Sequence, residues 1–219
     1  MSISKTTLTY KRIILSMIIF FIIPLLFPVL NYFLNDETIS YTCLINVFTA
    51  ILMIYDYNLV ALHYNRIKRN FKECLLYYLV GIIIFALIFV FNHFLLHGSF
   101  FTIDPHIFKK YYGGAILMLF AYCLMLPIAM SICYKCLTDR LNIKSQELMV
   151  ILFSGLFFGL LFTIAFVPYD INLWIRSYIL NALITSVLSY IYNQSTSFLV
   201  SALSLATVLL AYNLIIILL

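Results

Sequence analysis

Residues 74–97 read CLLYYLVGIIIFALIFVFNHFLLH, a run of 24 positions without Asp, Glu, Lys or Arg. A helix needs about 20 apolar residues to cross the roughly 30 Å of hydrocarbon in a bilayer. Inside lipid, the backbone N–H and C=O groups must find their partners within the protein, and a helix pairs them within the segment itself. The run therefore predicts a membrane-spanning helix.

The composition of the whole chain agrees with that prediction. Of the 219 residues, 65% are apolar and 10% are charged, and the mean hydropathy is +1.09. An average soluble domain has about 25% charged residues, which help to cover its surface. These values exclude a soluble enzyme, a disulfide-rich secreted domain and a nucleic-acid-binding module. They favour a helical protein with several membrane spans.

Seven apolar runs are long enough to span the hydrocarbon, so we expect an all-α, polytopic bundle of about seven helices (six to eight). The runs are 13–34, 41–63, 74–97, 111–133, 146–167, 172–192 and 198–219. Pro24 and Pro28 are expected to bend the first helix. The polar stretch 193–197, which carries no charge, is the least marked boundary. No linker divides the chain, so 1–219 is expected to form one integral membrane domain.

Basic residues are distributed unequally between the two sides of this arrangement. Ten belong to the N-terminus and to the loops after the second and fourth spans, and two belong to the opposite side. The ten are Lys5, Lys11, Arg12, Arg66, Lys68, Arg69, Lys72, Lys135, Arg140 and Lys144, and the two are Lys109 and Lys110. Because short loops rich in Lys and Arg stay in the cytoplasm, we predict a multi-pass protein of the cell membrane with a cytoplasmic N-terminus.

Two ionisable residues lie inside predicted spans, where charges are costly and are candidates for a functional or binding role. Asp56 lies in the second span, closer to its cytoplasmic half, and Arg176 lies near the outer end of the sixth. For both residues a purely structural role is an alternative to a functional one. Asp56 can hold helices together by hydrogen bonds, and Arg176 can extend its charge to the outer surface. Their different depths argue against a direct ion pair.

Two pairs of possible metal ligands are too sparse to predict a site. His93 and His97 are four positions apart on the third span, but a structural zinc site needs four ligands. Cys133 and Cys136 form an isolated CxxC at the end of the fourth span. We therefore predict no metal, cofactor or nucleic-acid partner, and we expect the five cysteines to be reduced.

Three segments of the second half resemble the core of a known family. They read PIAMSICYKCLTDRL at 127–141, SGLFFGLLF at 154–162 and LSLATVLLAYN at 203–213. Their order and spacing are similar to those of the CAAX protease and bacteriocin-processing family, whose members are intramembrane metalloproteases. The family pattern is a Pro-Ile-Ala-like lead into EExxxR, a small-residue helix that ends in FGxxH, and a closing helix with HxxxN. The resemblance covers about 115–219, with 1–110 as variable N-terminal spans.

The resemblance implies a site whose catalytic residues have been replaced. In the family, one glutamate activates a water, the histidines hold a metal or position the water, and the arginine orients the carboxylates. The paired glutamates correspond here to Met130 and Ser131, and the histidines correspond to Phe162 and Leu209. The arginine corresponds to Lys135, which keeps the charge but not the planar fork.

Other family features are retained. Asn213 matches the family asparagine, Phe158 and Gly159 match its Phe-Gly pair, and the small residues Ser154 and Gly155 remain. The resemblance implies that seven positions from three spans converge in space: Met130, Ser131, Lys135, Phe158, Phe162, Leu209 and Asn213. It also implies a protein without the family's catalytic residues that acts by binding, either in bacteriocin self-immunity or in regulation or scaffolding. Its partner would be a protein or peptide of the membrane or cell envelope.

Two alternatives remain open. A small membrane transporter or substrate-binding component would use Asp56, Arg176 and a polar face of the sixth span. That face comprises Asn181, Ser186, Ser189 and Asn193. An active metalloendopeptidase would need Asp56, His93 or His97 to reach the site where the three spans converge.

Overall fold

The structure is a computed structural model of the 219-residue chain. It describes residues 10–98, 100, 114–132, 147–167 and 170–218. Apart from short connections these residues are helical, and none of them forms a strand. The prediction of an all-α protein is therefore confirmed.

Within these residues lie eight helices. They are α1 (Tyr10–Leu34), α2 (Glu37–Tyr55), α3 (Tyr57–Arg69), α4 (Phe71–Phe91), α5 (Ile116–Ile132), α6 (Glu147–Phe166), α7 (Ile171–Ser195) and α8 (Phe198–Leu218). After α4 the chain continues as a π-helix over Asn92–Leu96, and α5 is π-helical over Phe120–Met125. The first helix runs unbroken through Pro24 and Pro28.

Six helices in the described part of the chain (α1, α2, α4, α6, α7 and α8) are long and apolar enough to cross a membrane. The shorter apolar helix α5 lies within the predicted fourth span, 111–133. Residues 111–113 and 133 lie outside the described residues. The chain is a multi-pass membrane protein, as predicted, and its apolar helices are suited to a lipid bilayer.

The second span begins earlier than predicted. We placed its start at residue 41, but α2 starts at Glu37. The hydroxyls of Ser40 and Thr42 each donate to a backbone carbonyl four residues earlier, at 2.7 Å. These hydroxyls are thus satisfied within the helix and do not require water.

The second span also ends earlier than predicted, at Tyr55. The backbone of Asp56 leaves the helical region (φ −101°, ψ 26°), and a separate helix, α3, follows it. The 19 residues of α2 rise by about 28 Å, which nearly matches the hydrocarbon thickness. Asp56 therefore marks the end of the span and not its interior. The 13-residue α3 carries Arg66, Lys68 and Arg69 in its last turn.

Polar contacts join α3, the start of α4 and the turn between α7 and α8. Arg66 Nη1 donates to the carbonyl of Thr196 at 2.9 Å, and Ser197 Oγ donates to the carbonyl of His63 at 3.4 Å. Cys74 Sγ lies 3.8 Å from the carbonyl of Ser195. The polar stretch 193–197 is a turn only at Thr196 and Ser197, because Asn193, Gln194 and Ser195 are the last residues of α7. This turn lies at the same end of the bundle as the basic residues that follow the second span. We call this end cytoplasmic, following the predicted topology.

The helices α6 and α7 form the most extensive helix pair of the described residues. Gly155 and Gly159 are four apart on α6, which is the spacing that lets two membrane helices approach closely. A Cβ atom at Gly159 would lie 2.6 Å from the Cα of Ala182, and one at Gly155 would collide with the hydroxyl of Ser186. These glycines therefore set the distance between the two helices.

Candidate functional site

Six of the seven positions that the family resemblance predicts to converge are described, and Lys135 lies outside the described residues. All six are buried. Their exposed fractions are Met130 1%, Ser131 0%, Phe158 0%, Phe162 2%, Leu209 0% and Asn213 0%. The four apolar side chains among them belong to one continuous hydrophobic core. Direct convergence of all seven stays a prediction.

Aromatic side chains surround Phe162, the position of a family histidine. Its ring meets the edge of Phe20 at a centroid distance of 5.6 Å and stacks on Phe21 at 6.1 Å. Phe158, one turn earlier on α6, lies 5.9 Å away. Phe20 and Phe21 belong to α1, which lies outside the segments that carry the resemblance. Sequence reasoning missed them because α1 is apolar on every side and shows no inward face.

Asn213, the retained asparagine, connects α8 to α5. Its Nδ2 donates to the carbonyl of Leu209 at 2.8 Å and lies 3.6 Å from Cys123 Sγ. Cys123 belongs to the same helix as Met130 and Ser131. The α5 and α8 members of the predicted site therefore lie on helices that touch. On α6, Phe162 contacts Phe20 and Phe21 of α1, and Phe158 packs against Phe162.

The chemistry available at the six positions is that of binding and packing. They offer a hydroxyl, an amide, a thioether and apolar surface, and none of these groups is a general base at neutral pH. Among the described residues, no group of three His, Cys, Asp or Glu side chains is placed to hold a metal ion. Cys43, Cys74 and Cys123 are free thiols, as expected.

Asp56 is buried where α2 ends, and its Oδ2 accepts a hydrogen bond from Ser16 Oγ at 2.8 Å. Ser16 follows the first residue of the apolar span Ile14–Leu34 by two positions, so the pair lies near the cytoplasmic boundary of the hydrocarbon. This geometry agrees with the structural interpretation, in which the carboxyl group holds α1 against the junction of α2 and α3. Sequence reasoning missed Ser16 as the partner of Asp56, because it is 40 residues away in the chain.

Arg176 lies at the opposite end of the bundle. Its side chain is exposed, and a Cβ atom at Gly98 would lie 2.8 Å from its backbone carbonyl oxygen. The start of α7 therefore meets the chain that follows α4. Asp56 and Arg176 lie at different ends, in agreement with the prediction that they do not pair.

Three polar side chains of α7 are hydrogen-bonded to α6. Asn181 Nδ2 donates to Thr163 Oγ1 at 3.0 Å, and Ser154 Oγ donates to Ser189 Oγ at 2.9 Å. Thr185, which sequence reasoning missed, donates to the carbonyl of Gly155 at 2.7 Å. In the described residues this face thus serves as a helix–helix interface. Its members Ser186 and Asn193 are half-buried.

Comparison of the chain with protein-family models, with curated proteins and with solved structures finds no match. The order and spacing of the segments at 127–141, 154–162 and 203–213 are therefore the basis on which a family is proposed below.

Proposed function

We propose that the protein is a non-catalytic member of the CAAX protease and bacteriocin-processing family that acts by binding a protein or peptide partner in the membrane. One observation carries the proposal. The family histidine position, Phe162, is buried against Phe20 of α1. An aromatic cluster here supports a packed core in place of a hydrated catalytic cavity.

The partner proposed is a membrane-spanning or envelope-bound protein or peptide, as in self-immunity to a bacteriocin or in regulation or scaffolding. The face of α6 opposite α7 supports this choice. It exposes Leu152, Phe153, Leu156 and Phe157, and the rings of Phe153 and Phe157 are parallel within 8° at 6.2 Å. A rigid aromatic pair loses little conformational entropy on binding, which suits it to contact a partner helix.

Photo-crosslinking tests the binding role. A benzophenone amino acid replaces Phe157 on α6 or, as a matched control, Leu87 on α4, which is also an exposed apolar position. In native membranes we expect ultraviolet light to produce a discrete protein adduct at position 157 and none at position 87. Protein adducts at neither position, or equally at both, would contradict a partner site on α6.

A cysteine pair tests the family assignment independently of binding. In a chain from which the native cysteines have been removed, M130C and F162C should be joined by a short bismaleimide if α5 and α6 converge as in the family. The pair A129C and F162C is the control, because Ala129 is the neighbouring position on α5 and points in a different direction from the helix axis. If neither pair reacts in the folded protein, the assignment fails even if a partner is found on α6.

The alternatives have less support. A transporter would use polar side chains of α7, but Asn181 and Ser189 are bonded to α6. An active metalloendopeptidase with displaced ligands would need Asp56, His93 or His97 in one cavity. Asp56 lies at the cytoplasmic end, whereas His93 and His97 are exposed on the π-helical end of α4 and just after it.

A further inference from the structure

A basic patch lies where α3 gives way to α4. It consists of Arg66, Lys68, Arg69 and Lys72, four cations within seven positions. Glu73 follows the patch directly, so residues 66–73 carry four positive charges and one negative charge, a local charge of +3. Lys68, Arg69 and Lys72 are exposed.

The patch lies at the level of the membrane surface. Phe71 is the first residue of the apolar span Phe71–Leu96, and Arg69 and Lys72 flank it. Phe71 and Tyr64 are both exposed. Aromatic side chains in such positions are typical of the interface between hydrocarbon and headgroups.

Two contacts hold the patch in place. Arg66 Nη1 donates to the carbonyl of Thr196, which fixes one guanidinium against the turn between α7 and α8. The Lys68 ammonium lies 4.7 Å from the ring centre of Tyr64. Among the described residues no carboxylate forms an ion pair with any of the four cations.

We propose that the basic patch binds the phosphate headgroup of an anionic phospholipid in the cytoplasmic leaflet. Clusters of four or more Lys and Arg residues directly cytoplasmic of a span attract such lipids, and a guanidinium can bind phosphate through two hydrogen bonds. The exposed apolar side chains of Leu75, Leu76 and Leu79 continue from the patch along α4 and would contact the acyl chains. This continuity favours a lipid over an acidic protein segment.

The site is separate from the aromatic face of α6, and the inference does not rest on the proposed function. Its test uses the full chain reconstituted in vesicles of phosphatidylcholine and phosphatidylglycerol. Retained lipids are counted by native mass spectrometry as the phosphatidylglycerol fraction is raised. We expect preferential retention of phosphatidylglycerol by the unmodified chain.

Two matched single variants localise the effect. R69Q removes an exposed arginine of the patch, and R176Q removes an exposed arginine at the opposite end. We expect R69Q to weaken phosphatidylglycerol retention about fivefold, which corresponds to about 1 kcal/mol per basic residue near the surface. R176Q should leave it unchanged, and K68Q/R69Q/K72Q should abolish the preference while circular dichroism shows the same helix content.

Three results would overturn the inference. One is equal retention of phosphatidylglycerol and phosphatidylcholine by the unmodified chain. Another is an equal loss in R69Q and R176Q. The third is binding of a soluble polyglutamate peptide that depends on the patch without any lipid preference, which would make an acidic protein segment the occupant.

Discussion

Replacing Gly159 by alanine tests how closely α6 and α7 approach. The added Cβ would lie 2.6 Å from both the Cα and the N of Ala182. Carbon atoms in favourable contact are about 3.5–4.0 Å apart, so the helices must separate locally by about 1 Å. Because the obstacle is backbone, no side-chain rotation can relieve it.

The cost of that separation follows from the contacts on the same interface. Three hydrogen bonds between the helices, at 2.7, 2.9 and 3.0 Å, would lengthen beyond bonding distance. Such bonds contribute about 0.6 kcal/mol each in membranes, and overpacking alone costs about 1–3 kcal/mol. The better helix propensity of alanine offsets up to about 1 kcal/mol. We expect G159A to lower the free energy of unfolding by about 2–4 kcal/mol.

The measurement is the unfolding free energy in bicelles by steric trapping, with two comparisons. Leu156→Ala changes an exposed residue of the same helix and should shift stability by less than about 0.5 kcal/mol. G155A meets the Ser186 side chain first, so S186G should restore part of its loss, whereas A182G should not rescue G159A. Unchanged stability of G159A, or full rescue by A182G, would refute the close approach of the two backbones.

Three further predictions concern the core, Asp56 and the topology. Replacing Met130 and Ser131 by glutamate should create no peptidase activity and should destabilise the fold by about 2.5–3.5 kcal/mol per unpaired charge, measured by the same unfolding assay. D56L leaves the Ser16 hydroxyl without its acceptor and should cost about 1–3 kcal/mol, whereas D56N keeps an acceptor oxygen and should cost less; equal losses would contradict a hydrogen-bonding role. In a cysteine-free chain, K68C should resist an impermeant maleimide added outside and H97C should react; labelling of K68C from outside would reverse the topology.

The spans could be predicted from the sequence because their length and apolar composition are one-dimensional properties. The limits of the second span could not. Ser40 lay outside the predicted span, but its hydroxyl bonds to the carbonyl of Asp36, at the N-terminal end of α2. After Asp56 the apolar run Leu59–Leu62 hides a change of helix. The basic residues in the last turn of α3 served in the prediction only to orient the chain in the membrane, and they were not recognised as the end of a separate helix.

The candidate site could be predicted only in part. Gly155 and Gly159 were retained in the family resemblance, and their spacing of four on one helix is a sequence signal for the close contact with α7, because glycines leave the backbone surface open. The partners of that surface, and of Phe162, come from distant parts of the chain. Phe20 is one of many apolar residues on α1, and nothing local distinguishes it. Pairings of this kind depend on how the helices are arranged in three dimensions.

The bond between Arg66 and Thr196 has a consequence for biosynthesis. The two residues are 130 positions apart, and at 5–20 residues per second the ribosome needs about 7–26 s to make the chain between them. During that interval α3 and its basic residues are already at the membrane, while the turn that receives Arg66 does not yet exist. The cytoplasmic end of the bundle can therefore close only after α7 has been inserted. Until then α3 can contact only the membrane surface and the helices that have already been made.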